Sequence, residues 1–593
     1  MSISASVLTS LAALGAAGPR PAVEPRGELA FRIEMTMDRL VRGQEPAYTD
    51  DFILADVVLD PGYPRRFAEY SGDVSGRYIG AMALSPMPGD PARLESVVRG
   101  ALAQQRADGR FGDPDLSFAS DALAMEQMAL LWGNGRMLVG LLEYHATRPD
   151  PEVLAAARRL GDFLVRIQTA CASADVQTRL EGQGASGFIC FTQLIEGLVL
   201  LSRATGDASY AQAATAIYPW LQPRGTQHSH GYLTTLRGMI MLYEDTRDAA
   251  CLRAAEDAYQ ALVASPDYQV YGGVAEYFGG KGDRDEGCSV ADFLRLSLQL
   301  WRATGNVDYL DRAERCLMNH FSANQFSTGD FGHRVLAEHG LASTFGIGCA
   351  WWCCTMHGLR AFPDVLDAIY TVNGDHLHVN LFLDCACSGP VWAVSQQRTP
   401  LPGTGFRFTV TVEHAPAGQA TLAIRRPAWA GRMALSVNGA AADVSDHEGY
   451  LVCRRAWQAG DTVAVDIECR VRLETRTGAL MSLDELGDTP VEAVLWYGPW
   501  ILGVNKSHCP LFFGEPWAGN VILLSGALRP ADAPGAAPSP DGARLLVPEA
   551  RFRTSYRHDG FPEPGTVVLE PISEWTACQE GAVAVWLKYR RGS

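Results

Sequence analysis

The sequence predicts a multidomain α+β protein: an (α/α)6 helical barrel followed by one or two C-terminal antiparallel β-sandwich domains. Three observations carry this expectation. A helical-hairpin phrase recurs through the first two thirds, the hydrophobic period changes from helical to alternating near Asp375, and 593 residues exceed what one hydrophobic core usually organises.

Residues 1–60 are expected to form an N-terminal segment, partly extended, that packs on the rest. The segment opens with "MSISASVLTSLAALGAAGPRPAV", whose small, mildly apolar residues invite a signal-peptide reading. No Lys or Arg precedes Arg20, so the positive n-region of such a leader is missing and a cytoplasmic location is expected.

Residues 61–372 are expected to form the barrel. The phrases "LLEYHATRPDPEVLAAARRL", "LVLLSRATGDASYAQAATAI", "MIMLYEDTRDAACLRAAEDA" and "LSLQLWRATGNVDYLDRAERCL" each join an apolar helix end, a Thr-led turn and a second helix. Their threonines, at 147, 205, 246 and 304, are spaced by 58, 41 and 58 residues. One unit is therefore a helical pair of roughly fifty residues, and about six such pairs fit before the period changes. Six pairs suit a closed ring, although an open solenoid would read the same way.

Residues 373–475 read as a β-sandwich and 476–593 as a second sandwich or its completion. "HLHVNLFL", "FRFTVTVEH", "ATLAIRRPAW" and "TVAVDIECRVRLET" alternate every second residue and are rich in Val, Thr and Ile. The stretch "RPADAPGAAPSPDGAR" has no period and reads as a surface loop.

Composition excludes several function classes. A formal charge of -17 argues against nucleic acid as a partner, because phosphate binding needs clustered Lys and Arg. No stretch supplies the ~20 apolar residues of a membrane span. Fourteen unevenly spaced cysteines in a long chain suit a reducing compartment better than a disulfide framework. Sandwich faces often pair, so a homodimer is compatible with this organisation.

Chemistry concentrates in two stretches. "GCAWWCCTMHGLRAF" (348–362) sets Cys353 beside Cys354, with Cys349 nearby. Adjacent cysteines are poorly placed to bridge, because neighbouring Cα atoms sit about 3.8 Å apart and a disulfide wants roughly 4.4–6.8 Å. They are inert core thiols, a metal site or a nucleophile. "YGGVAEYFGGKGDRDEGCSVADFLRL" (271–296) places Glu286 and Cys288 just before a helical run, where the helix dipole favours a thiolate. Together these residues make a Cys3Glu set of the kind Zn2+ accepts, while the other cysteines read as core.

The "EGC" at 286–288, "CCTMHGLR" at 353–360, "GGVAEYF" upstream and the helical-then-β order are similar to glycoside hydrolase family 127, the β-L-arabinofuranosidase family. The resemblance runs from about Arg65 into the β region and is diffuse outside these motifs. It implies a retaining glycosidase with a zinc-held cysteine nucleophile. Carried over by motif, Cys353 falls on the nucleophile, and Glu286, Cys288 and Cys354 on the remaining zinc ligands. Glu276 falls on the general acid/base.

The sequence also departs from the family pattern. Gln193 in "FTQLIEG" stands where the family helix offers a substrate-binding histidine, and "LTTLRGM" lacks a second one. His228 or His230 in "GTQHSHGYL" would have to reach the pocket instead, and the substrate need not be L-arabinofuranose. Arg77 and Tyr78, with Tyr70, lie in a Gly/Ser-rich stretch suited to a barrel mouth. Asn134 and Arg136 form a Gly-flanked polar turn, and Trp351 and Trp352 could stack on a sugar. Two other readings stand beside the glycosidase. One is a metal-independent epimerase or uronyl hydrolase on the same barrel. The other is a carbohydrate-binding scaffold with a structural zinc.

Overall fold

A computed structural model describes residues 21–42, 47–63, 67–87, 89–280, 283–343, 352–401, 405–513, 517–524, 530–531, 547–553, 565–574 and 581–592. Trp351 and Cys349 lie outside the described residues, as does most of the 529–544 loop.

Among the described residues, twelve helices build the barrel: α1 (Gly27–Val41), α2 (Asp73–Leu84), α3 (Pro91–Leu102), α4 (Met125–Thr147), α5 (Pro151–Cys171), α6 (Leu194–Thr205), α7 (Ala208–Ile217), α8 (Ser229–Thr246), α9 (Ala249–Val263), α10 (Gly287–Thr304), α11 (Val307–Arg315) and α12 (Trp352–Ile369). The even-numbered helices form an inner ring in which each touches the next and α12 closes on α2. Each odd-numbered helix backs one inner helix from outside. Closure of the ring rules out the open solenoid.

The recurring threonines have a local physical reason. Thr205, Thr246 and Thr304 end inner helices, and each Oγ1 donates to the carbonyl four residues back, at 2.7 Å. Each also accepts the amide two residues on, from Asp207, Asp248 and Asn306. Those three side chains then cap the next outer helix by accepting an amide of its first turn. One short phrase therefore stops a helix, turns the chain and starts the next. Every inner helix consequently runs in the same direction.

The N-terminal segment is more involved than a boundary at residue 61 suggests. α1 packs on α12 as the sixth outer helix, so the barrel needs residues from before that boundary. Ala22–Pro25 is a strand that pairs with Cys385–Ser388 at the edge of a seven-stranded sheet. That sheet and a five-stranded one, made of Ser445–His447, Tyr450–Ala456, Gln419–Arg425, His376–Val379 and Tyr370–Asn373, form the sandwich after the barrel. Alternation in Gly405–His414 puts Phe406, Phe408, Val410 and Val412 into its core.

The remaining strands form one thirteen-stranded network, and it does not stay within the C-terminal region. A barrel hairpin, Arg334–Ala337 with Gly340–Ser343, joins it by pairing with Ala582–Ala584. No described helix is long and apolar enough to cross a membrane.

One buried carboxylate fixes the start of α2. Asp56 Oδ2, from the helix Asp50–Val58, accepts the amides of Gly72, Val74 and Ser75 at 2.9, 2.9 and 3.3 Å. Burial pushes the Asp56 carboxyl up to about 7. A raised folded-state pKa means that its stability contribution is complete below the unfolded value of about 3.9 and is lost as pH rises through the folded one. Asp56→Asn keeps the acceptor and removes the titration. The variant should gain about 2–3 °C of melting temperature relative to wild type between pH 5 and pH 8. A difference that stays constant across this range contradicts the assignment.

Candidate active site

Because the inner helices run in parallel, their first turns meet at one mouth. Cys288 lies in the first turn of α10 with Glu286 at its N-cap, and Cys353 and Cys354 lie in the first turn of the neighbouring α12. Their donor atoms lie within 4.8 Å of one another and all four residues are buried. Cys288 Sγ and Cys353 Sγ each stand 3.9 Å from Cys354 Sγ. Gly287 permits this approach: a Cβ there would come within 2.9 Å of Cys354 Cβ and 2.8 Å of Asn324 Oδ1. Such a group of donors can hold a metal ion.

The electrostatics favour a cation at this point. Burial pushes all three thiols well above the ordinary thiol range. Burial also opposes the charge on Glu286, but His228 outweighs it and holds that carboxyl below its usual range. His228 Nε2 is 3.3 Å from Glu286 Oε2, and its ring packs edge-on to Tyr277 and Trp132. As whole residues Cys353 is 6% exposed and Cys288 and Cys354 are fully buried, so all three thiols lie inside the fold.

Glu276 lies beside this cluster, its carboxylate grouped with His228 and Glu286 within 4.8 Å. Arg284 forks onto it, Nε to Oε2 at 2.5 Å and Nη2 to Oε1 at 3.1 Å. The backbone here forms a ladder. Glu276 NH donates to Arg284 O, Asp285 NH to Arg334 O, Leu336 NH to Asp283 O, and Ser229 NH to Glu276 O. Glu276, Glu286 and the start of α8 therefore hang from the same hairpin that pairs with Ala582–Ala584.

Beneath the cluster the barrel interior is charged. Asp292, fully buried on α10, accepts from Thr234 Oγ1 at 2.8 Å and Arg237 Nη1 at 3.0 Å, and contacts His230 Nδ1 and His357 Nε2 at 2.5 and 2.8 Å. Arg77 can only donate, so His230 Nε2 accepts from it at 2.8 Å and the Nδ1 hydrogen goes to Asp292. Burial lowers His230 to about 4, consistent with a neutral ring. His357 is held likewise between Arg360 and Asp292. Glu196 ties Arg136 and Arg237 at 3.3 and 3.2 Å, and Arg360 reaches Glu143.

Several residues expected to bind substrate are instead used by the fold. Asn134 is fully buried: its Oδ1 accepts the Phe111 amide, and its Nδ2 donates to the Ser71, Phe111 and Leu130 carbonyls. Gln193 is also fully buried, accepting from Arg136 and donating to the Leu131 and Cys190 carbonyls. Tyr78 turns to the outer side of α2, beneath the Arg93 guanidinium of α3. The polar atoms of Asn134 and Gln193 are taken by the protein itself, and the Tyr78 ring lies against a side chain of an outer helix.

His230 and Arg77 do reach the cluster, through each other and through Cys288, and Trp352 packs on Phe67 with ring centroids 4.8 Å apart. Tyr70 bonds Ser186 Oγ at 2.6 Å and is only half buried. Asp292, His357, Arg360, Glu196, Arg237 and Arg284 were not anticipated. The available signal was the charged residue inside each apolar helical run, as in "SVADFL", "QLIEG" and "TTLRG".

Comparison with known proteins agrees with this architecture. The catalytic-domain model of GH127 β-L-arabinofuranosidase matches residues 69–366, and the middle-domain model of the same family matches 376–469. Among solved structures, the GH127 β-arabinofuranosidase BT3674 superposes with a TM-score of 0.71 at 18% identity, covering 96% of this chain and 97% of that one. A GH127 β-L-arabinofuranosidase from Geobacillus stearothermophilus T6 gives 0.69 at 15% identity, covering 96% and 100%. No curated protein matches. At such identities the superpositions establish the fold. The family models span more than half of the sequence, and on that ground the chain belongs to the GH127 β-L-arabinofuranosidase family of glycoside hydrolases.

Proposed function

We propose that this protein is a retaining glycosidase that releases an arabinofuranose-like sugar, with Cys353 as nucleophile, Glu276 as acid/base, and Zn2+ held by Glu286, Cys288, Cys353 and Cys354. The observation that carries this reading is the packing of three sulfurs and a carboxylate at the barrel mouth. Zn–S bonds of about 2.3 Å in a tetrahedral set separate sulfurs by about 3.8 Å. The sulfurs here stand 3.9 Å from Cys354 on both sides. When bound, the ion would keep the buried Cys353 ionised at neutral pH.

Cys353 Sγ attacks the anomeric carbon from one face as its bond to the leaving oxygen breaks, and Glu276 gives that oxygen a proton. Water then displaces the sulfur while Glu276 takes its proton, and two inversions leave the configuration retained. Arg284 bonds both Glu276 oxygens, so a substrate's leaving oxygen must take the place of one of these bonds. The relatives named above are arabinofuranosidases, which supports a furanose. With Gln193 tied to Arg136, the family's histidine contact is missing, so the sugar is stated as arabinofuranose-like. A carboxylate that is not one of the four donors, Glu276, stands beside the cluster, which favours catalysis over a closed structural zinc.

Cys353→Ala should lower turnover of aryl β-L-arabinofuranosides by at least about three orders of magnitude. Unchanged turnover removes the thiolate mechanism, and a wild type inactive on all aryl furanosides favours the scaffold reading or another sugar. Glu276→Gln should cost about 10²–10⁴-fold, with a smaller loss in the first step for a nitrophenyl leaving group that needs no proton. Metal analysis should find one zinc per chain. Its removal by a chelator should lower both melting temperature and turnover, and neither should change if the four donors hold no ion.

A further inference from the structure

Resting on the reading that the four donors hold a divalent cation, we propose that Arg77 is a positioning residue that offsets the surplus negative charge of that centre. Three thiolates and a carboxylate around a divalent ion leave two negative charges. In a buried site these are poorly screened, and a fixed cation alongside stabilises them.

Arg77 is built for that role. Its side chain is 2% exposed, and every arm of the guanidinium is directed. Nε donates to Asp73 Oδ1 at 2.7 Å, Nη2 to His230 Nε2 at 2.8 Å, and Nη1 points at Cys288 Sγ at 3.7 Å. Asp73 is itself fixed by Trp132 Nε1 at 3.0 Å, and His230 by Asp292 at 2.5 Å. A neutral His230 orients the fork without cancelling its charge. A lysine ammonium offers no planar fork to hold three partners in this arrangement. Opposite Arg77, His228 stands against Glu286, so the two halves of the donor set each meet a basic side chain.

A purely steric clamp would make Asp73 and Arg77 equivalent, since each holds the other. The charge role separates them by sign. Arg77→Gln removes the cation and should weaken Zn2+ binding by about 10–100-fold in competition with a fluorescent chelator. Asp73→Asn keeps an oxygen for Nε and Trp132 but removes a negative charge, so it should bind Zn2+ as tightly as wild type or more tightly. Unchanged affinity in Arg77→Gln, or weakened affinity in Asp73→Asn, overturns the proposal. If Arg77→Gln does not fold, the sign of the Asp73→Asn change decides alone. A wild type that binds no Zn2+ overturns the underlying metal reading, which distinguishes that failure from this one.

Discussion

The site depends on the parallel direction of the six inner helices. Each outer helix returns the chain, so every inner helix begins at the same end of the barrel, and the first turns of α8, α10 and α12 are brought face to face. The pair Glu286 and Cys288 and the pair Cys353 and Cys354, more than sixty residues apart in the chain, are gathered by that geometry. Helix N-termini carry partial positive charge, so the same constraint that collects these groups also favours them as anions.

Holding anions and arginines inside a barrel is costly unless each finds partners. The interior meets this with a shared network in place of isolated pairs. Asp292 is surrounded by two histidines, a threonine and an arginine, and Glu196 is bridged to Arg136 and Arg237. Burial works against the Asp292 charge, but His357, Arg237 and His230 hold its carboxyl well below the usual range. Because the two histidines are oriented by arginines on their far sides, their hydrogens have one destination. The network therefore fixes ring positions and charge together, and through His230 and Arg77 it reaches the sulfur cluster.

A second support comes from outside the barrel. The irregular segment between α9 and α10 carries Glu276 and Glu286, and it gains its order by pairing with Arg334–Ala337, whose partner strand pairs in turn with Ala582–Ala584. The C-terminal sheet is thereby part of the frame of the site. Asn319 adds to the junction, donating to Pro499 O and accepting the Ile501 amide.

The sequence alone determined the helical pairs and the change to alternating strands, and it singled out 286, 288, 353 and 354 as candidate donors. Each is written locally: a Thr-to-cap turn phrase, a period of two, a glycine between glutamate and cysteine. Tertiary structure alone decided what needs a partner far away. Asn134 read as a pocket residue because of its Gly-flanked polar stretch, and Gln193 because the family resemblance places a histidine there, yet backbone carbonyls and an arginine already occupy them. Tyr78 follows Arg77 directly, but a helix turns about 100° per residue, so one faces the sulfurs and the other the outer layer. α1 as the twelfth barrel helix, the C-terminal strand paired to the hairpin that carries the site and the Asp292 network all rest on contacts across long sequence separations. A periodicity shows which face of a helix is buried, and only the assembled chain shows what that face meets.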